Sequence, residues 1–399
     1  MLGVSTTMAF TRLLRSLARD EHVGSRVVPI IPDEARTFGM DSLFREIGIY
    51  AAQGQKYEPV DHDLLLSYSE STKDQILEEG ITEAGSMASF IAAGTAYSTR
   101  GVPMLPFYTF YSMFGFQRIG DMIWQAADMR ARGFMMAATA GRTTLLGEGL
   151  QHQDGHSHLM AATVPNCRAY DPAFAGELAV ILDHGMRQML ERQEDVFYYL
   201  TLMNEGYAQP DLPEGVEDDI LKGMYRFAAH EPKKARGRVR LLGSGAILPE
   251  VIAAAQMLCE DWNVAAEVWS VTSFTELSRD ASEVERWNRL HPSSTPRVSH
   301  VAQSLSPGAP VIAATDYVRA LSQLIATDIR DEYTVLGTDG FGRSDTRAAL
   351  RRFFEIDRQH VVVAALSALV RSGELPAKLC EDAIRQYGID ADATSSWTC

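Results

Sequence analysis

The chain has 399 residues, 46% of them apolar and 22% charged, an ordinary globular balance and enough length for two or three cores rather than one. A formal net charge of -15 excludes nucleic acid and anionic lipid as natural partners, since both are held by clustered Lys and Arg; solubility is the ordinary role of such a charge. No apolar run approaches the roughly 20 residues that span a bilayer, and the four cysteines (Cys167, Cys259, Cys380, Cys399) lack the CxxC spacing of a zinc site or a disulfide framework.

The opening MLGVSTTMAF runs into the amphipathic TRLLRSLARD with no h-region and no small-residue cleavage site. No secretion signal is read there, and a reducing cytoplasm is the expected compartment. From Ser5, the apolar positions Phe10, Leu13, Leu14, Leu17 and Ala18 recur at helical spacing, with Ser and Thr upstream available as caps. RVVPIIPD (26–33) reads as a buried parallel strand that places Asp33 and Glu34 at its C-terminal end. The segment DQILEEGITEAGSMASFIAAGTAYS (74–98) reads mainly as helix, PMLPFYTF as strand, FGFQRIGDMIWQAADMRAR as helix and GFMMAATA as strand. After a loop rich in Gly and His, NCRAYDP, AFAGELAVILDHGMRQMLER and VFYYLTLMN complete a doubly wound α/β domain near Met203.

The polar segment QPDLPEGVEDD (209–219) suits an exposed connection, which sets the expected domains at 1–212 and 213–399. Beyond it RVRLLGSG, ILPEVIAAAQMLCEDW, AAEVWSVTSF, APVIAATD and YTVLGTDGFG alternate strand and helix again, followed by helical segments 346–371 and 375–387. No short-period repeat or low-complexity tract is present.

Several clusters carry candidate chemistry. GEGLQHQDGHSH holds His152, His156 and His158 with Glu148 and Asp154; the spacing does not match a helical HExxH metal site and no cysteine accompanies it. Its glycines and serines imply a loop that brings polar groups to a ligand, with substrate-contacting histidine, metal binding and structural hydrogen bonding all open. Glu83, in GITEAG, stands early in a helix among Ile81, Ala84 and Met87, an apolar setting that suits a carboxyl group working as a proton donor. The alternative is a glutamate that complements the helix macrodipole. Phe107, Tyr108, Phe110, Tyr111, Phe114 and Phe116 crowd a strand-to-helix turn, where ligands of parallel sheets bind; one or two suit stacking on a flat heterocycle and the rest suit the core. LLGSGAILPE lacks the third glycine of a dinucleotide fingerprint, and TDGFGRSD lacks a Walker lysine, so both read as turns.

Taken together, VSTTMAFTR, VVPIIPDEARTFGM, FYSMFGFQRIGD, GRTTLLGEGLQHQDGHSH, WSVTSFTELSRD and GTDGFGRSDTR resemble the homodimeric bacterial pyruvate dehydrogenase E1 family, from about Val4 to beyond Asp390. The resemblance implies a transketolase-like architecture in which a diphosphate-binding domain, a pyrimidine-binding domain and a C-terminal domain follow one another. This chain matches the last two, as successive three-layer α/β domains with mostly parallel sheets. The GDG motif and the Asn that supply magnesium ligands belong to the first, so Mg2+ and the diphosphate are expected to be held by a missing domain or a partner chain.

The resemblance further implies thiamine diphosphate as cofactor. Glu83 would hydrogen-bond N1′ of its aminopyrimidine and promote the imino tautomer, with Phe114 and Tyr111 flanking the ring and Ile81 lining the pocket. His152 would transfer or orient a proton when the two-carbon unit passes to the lipoyl group of the dihydrolipoyl acetyltransferase, E2. Asp33 and Glu34 would lie near the cofactor. Glu148 and His156 are secondary candidates for contacts to the substrate or to the groups around it, and no metal ligand is assigned within this chain. Gln153 stands where some relatives have Glu. The implied partners are a diphosphate-binding E1 domain or chain and E2, in a homodimer or heterotetramer. Competing readings are an assembly remnant without catalysis, a transketolase, or the β chain of another 2-oxo acid E1; HQDGHSH and DEARTFGM favour the pyruvate family.

Overall fold

The computed structural model describes residues 3–32, 35–60, 62–63, 68–147 and 149–398. The chain divides into two compact units, Met1–Ala140 with Met160–Ala169 and Ile181–Gln209, and Gly141–Leu159 with Tyr170–Val180 and Pro210–Cys399.

The first unit is built on β1 (Val27–Ile31), β2 (Ile49–Tyr50), β3 (Glu70–Ser71), β4 (Leu77–Glu78), β5 (Leu105–Tyr111), β6 (Gly133–Ala138), β7 (Cys167–Tyr170) and β8 (Phe197–Leu202). Six of these form one sheet in the order β4-β1-β5-β6-β8-β7, while β2 and β3 pair separately. The pairs β1·β4, β1·β5, β5·β6 and β6·β8 are parallel. Strands β1, β6 and β8 are buried at every position, which explains why their sequences are continuous apolar runs rather than alternating ones. Neighbouring strands interlock through aromatic pairs such as Phe107 on Phe134, stacked at 4.8 Å and 11°. The first helix, Thr6–Ala18, starts where Ser5 accepts a hydrogen bond from the Met8 N–H at 3.2 Å, and it buries Phe10 and Leu14.

One element differs from its expected form. Residues 74–98 are mainly helix, as expected, but the segment does not start as one: Leu77 and Glu78 form β4, in register with Ile30 and Ile31 of β1. Gly80 then turns the chain with φ +76°, and Thr82 caps a helix that begins only at Glu83 and ends at Gly94. The helix-favouring glutamates of QILEEG lose to pairing with β1, a tertiary override of a weak local preference.

The second unit carries β9 (Met224–His230), β10 (Arg238–Gly243), β11 (Ala265–Val271), β12 (Val311–Ala314) and β13 (Tyr333–Leu336) in the order β13-β12-β10-β11-β9. All pairs are parallel except the antiparallel edge strand β9, which no sequence signal announced. Helix Phe274–Leu290 was also not anticipated. The expected helix 346–371 is broken into Arg347–Phe353 and Arg358–Arg371: Glu355 takes φ +57°, and Asp357 recaps the chain by accepting the His360 N–H at 2.9 Å. Among the described residues no helix is long and apolar enough to cross a membrane.

Candidate active site

The first cluster forms where β5 ends. Tyr111 is its last residue; the short turn Ser112–Phe114 follows, then helix Phe116–Asp128. That helix leaves helical geometry at Ile119 (φ -128°, ψ 29°), next to Gly120, so residues 116–118 form a separate first turn. From this turn Arg118 reaches Glu83: Nη1 donates to Oε1 at 3.0 Å. The Glu83 side chain is 9% exposed and that of Arg118 50%. The same guanidinium lies over the Phe114 ring, 4.1 Å from its centroid. Phe114 meets Tyr111 edge-on (6.0 Å, 70°), and Tyr111 leans on Phe38 (5.3 Å, 58°). Beneath them the fully buried Tyr108 donates its hydroxyl to the Glu83 carbonyl oxygen at 3.4 Å; burial pushes its phenol well above the usual range, and the Glu83 charge adds to the effect.

The structure therefore brings Glu83, Tyr111 and Phe114 together in one unit, Tyr111 at the end of a parallel strand, Phe114 on the turn after it and Glu83 at the start of helix Glu83–Gly94. Ile81 precedes the Thr82 cap and is 73% exposed. Strand β1 ends at Ile31; Asp33 and Glu34 lie outside the described residues, as does Glu148. Arg118 is the member that sequence reasoning missed. It sat inside the motif FYSMFGFQRIGD, yet nothing local showed that it would meet a carboxylate 35 positions earlier.

The second cluster, in the second unit, is the loop that carries the histidines. His152 is half-buried at the end of the short turn Leu150–His152. His156 holds Nδ1 3.9 Å from Asp154 Oδ1. Asp154 is fully buried and works locally: Oδ1 accepts the N–H groups of His156 (3.0 Å) and Ser157 (3.1 Å), capping the short helix Ser157–Ala162. His158 is buried edge-on against Tyr317 (4.9 Å, 82°), and burial lowers its imidazole to about 4, so it is neutral at pH 7.

The loop is held by groups distant in sequence. Arg142, 6% exposed, donates to the carbonyls of Thr338 (2.6 Å) and Gly340. Gln153, 1% exposed, pairs reciprocally with the Arg343 backbone, donating Nε2–H to its carbonyl at 2.5 Å and accepting its N–H at 2.6 Å. An amide makes both bonds, whereas a carboxylate has no donor for the first. Thr143 and Thr144 donate to Asp316, and Arg347 Nε donates to the Thr144 carbonyl at 2.8 Å. A β-carbon on Gly155 would sit 2.6 Å from Arg142 Nε, which accounts for glycine there.

Chemically, the first cluster suits a flat heterocycle with a ring nitrogen: one arginine links a shielded carboxylate to an aromatic ring on a built turn. No three His, Cys, Asp or Glu side chains converge to hold a metal ion among the described residues.

Two α/β units with mostly parallel sheets and these strand orders define a transketolase-like chain. In agreement, a solved structure of transketolase from Leishmania mexicana superposes with a TM-score of 0.68 at 14% identity, covering 93% of this chain and 46% of that one. A model of the pyruvate dehydrogenase E1 component middle domain matches residues 2–210, and a transketolase-like C-terminal domain model matches residues 223–357. The pyruvate dehydrogenase E1 component of Pseudomonas aeruginosa is 57% identical over 398 residues, 99% of this chain and 45% of that protein. That of Cupriavidus necator is 58% identical over 388 residues, 97% of this chain and 43% of that protein. The chain belongs to the pyruvate dehydrogenase E1 component family. It spans less than half the length of these relatives.

Proposed function

We propose that this chain supplies the cofactor-activating part of a thiamine-diphosphate site that decarboxylates pyruvate oxidatively and passes the acetyl group to a lipoyl group of E2. The observation that carries this reading is Glu83: a buried carboxylate at a helix N-terminus, linked through Arg118 to the Phe114 ring, in a chain of this family. When bound, thiamine diphosphate supplies the carbon nucleophile and the electron sink for loss of carbon dioxide. Glu83 then holds the proton at N1′ of the aminopyrimidine, while Tyr111 and Phe114 orient the ring and Ile81 borders it. His152 moves or orients a proton when the two-carbon unit reaches the lipoyl disulfide, which takes up the two electrons released. Asp33 and Glu34 are assigned to the surroundings of the cofactor, and Glu148 and His156 to those of the substrate. Residues 1–212 form the pyrimidine-binding domain and residues 213–399 the C-terminal domain. Mg2+ and the diphosphate are held by a part outside these residues, in the same polypeptide or in another, within a homodimer or heterotetramer.

Pyruvate over other 2-oxo acids is supported by the identity to pyruvate dehydrogenase E1 components. The test is pyruvate-dependent reduction of an artificial electron acceptor with thiamine diphosphate and magnesium, by the chain alone and with the diphosphate-binding part present. Activity should require that part and fall by about 10²- to 10⁴-fold in Glu83→Gln, the range of a lost proton-transfer group. A correctly folded assembly that stays inactive would overturn the reading in favour of an assembly role.

A further inference from the structure

We propose that Arg118 is a positioning residue for the Glu83 carboxylate and the Phe114 ring. The inference rests on the reading of Glu83 as the residue that meets the aminopyrimidine. Three observations carry it. Among the described residues Arg118 Nη1 hydrogen-bonds one carboxylate oxygen of Glu83, Oε1, at 3.0 Å, which sets it apart from Oε2. A terminal carboxylate torsion is broad and two-fold, so a charge-assisted bond to one oxygen selects a plane that the side chain alone does not. The guanidinium also lies over the Phe114 ring, 4.1 Å from its centroid, so the group that meets the carboxylate also holds the ring. Finally, the break in helical geometry at Ile119 sets the turn 116–118 apart from the remaining helix, and from that turn Arg118 makes both contacts.

A planar fork that hydrogen-bonds a carboxylate and stacks on an aromatic ring uses two properties that lysine does not combine. Arg118→Lys should therefore restore the charge beside Glu83 but not the stacking. Arg118→Met keeps most of the stem and removes both.

The experiment compares wild type, Arg118→Met, Arg118→Lys and Glu83→Gln in the assembled protein with its diphosphate-binding part. Two quantities are read: thiamine diphosphate affinity, from quenching of tryptophan fluorescence, to which Trp124 on the Arg118 helix contributes, and hydrogen–deuterium exchange at C2 of the bound cofactor, from NMR. Thermal midpoints serve as the fold control. Arg118→Met should slow C2 exchange by tenfold or more and weaken affinity by tenfold or more, with an unchanged midpoint, and Arg118→Lys should recover part of the exchange rate. If Glu83→Gln suppresses exchange while Arg118→Met leaves affinity and exchange at wild-type values, the Arg118 proposal falls and the reading of Glu83 stands. Tighter binding in Arg118→Met also overturns it, because Arg118 would then compete with the ring. Unchanged exchange in Glu83→Gln overturns the reading on which the proposal rests.

Discussion

Removing the Asp316 carboxylate should destabilise the histidine loop more in acid than at neutral pH. Asp316 is 1% exposed and accepts the Thr143 N–H at 3.0 Å, the Thr143 hydroxyl at 2.7 Å and the Thr144 hydroxyl at 3.2 Å. Burial pushes its carboxyl up from 3.8 to about 6, against the opposing hydrogen bonds from Thr143 and Thr144 and the Arg351 charge. Because the folded-state value is raised, the folded chain binds this proton more tightly than the unfolded chain does. The stability so gained is fully present below pH 3.8 and is lost as the pH rises through 6. At about 1.36 kcal/mol per unit, lowering the pH from 7.5 to 5 returns ~1.4 kcal/mol to the folded side. Asp316→Ala abolishes this gain and leaves three donors without their acceptor, at ~1 to 3 kcal/mol for each one that stays buried. The cost of the substitution should therefore be ~1.4 kcal/mol larger at pH 5 than at pH 7.5. Native-state hydrogen exchange of the Gly141–Leu159 amides, corrected for the intrinsic pH dependence of exchange, measures loop opening without requiring the whole chain to unfold in one step. Equal costs at the two pH values, or a larger one at pH 7.5, would refute the argument.

His158 titrates in the opposite sense. Burial lowers its imidazole from 6.5 to about 4, so the stability it contributes is complete above pH 6.5 and is lost as the pH falls through 4. About 2 kcal/mol is withdrawn by pH 5, which outruns the gain from Asp316. His158→Phe, which can keep the edge-on contact with Tyr317, should flatten the acid limb of a stability-versus-pH curve; an unchanged limb would show that His158 does not set it. Gly141 and Gly147 separate backbone from packing effects, since both have positive φ, +87° and +72°. A β-carbon on Gly141 would lie 2.2 Å from Asp316 Oδ2, whereas one on Gly147 meets nothing within 4 Å. Gly147→Ala should cost about 1 kcal/mol, the backbone term alone, and Gly141→Ala clearly more, with part of the excess removed in an Asp316→Ala background, since Thr144 Oγ1 remains 2.7 Å from the added carbon; denaturant titration of the single and double variants checks this.

Strands β1, β6 and β8 were readable because each is a largely apolar run whose burial is dictated by its own composition; Gly133–Ala138 and Phe197–Leu202 are buried at every position. Strand β4 was not readable, since Leu77–Glu78 is two residues long and acquires its conformation from Ile30 and Ile31, not from its neighbours. The candidate site divides in the same way. Glu83 carries no local mark that separates a cofactor contact from a helix-terminal glutamate, and only the family motifs singled it out. The contacts that give it chemistry are long-range: Arg118 reaches it from 35 positions away, as Arg343 reaches Gln153 from 190 and Asp316 reaches Thr143 from 173. A charged or amide side chain discloses its type in sequence but not its partner, and the partner decides whether a buried carboxylate is oriented, neutralised or left to titrate. Within its own unit each of Arg118 and Asp316 acts on neighbouring groups, Arg118 on Glu83 and Phe114, Asp316 by accepting hydrogen bonds from Thr143 and Thr144 of the histidine loop. The hold at Asp316 changes with its protonation near pH 6.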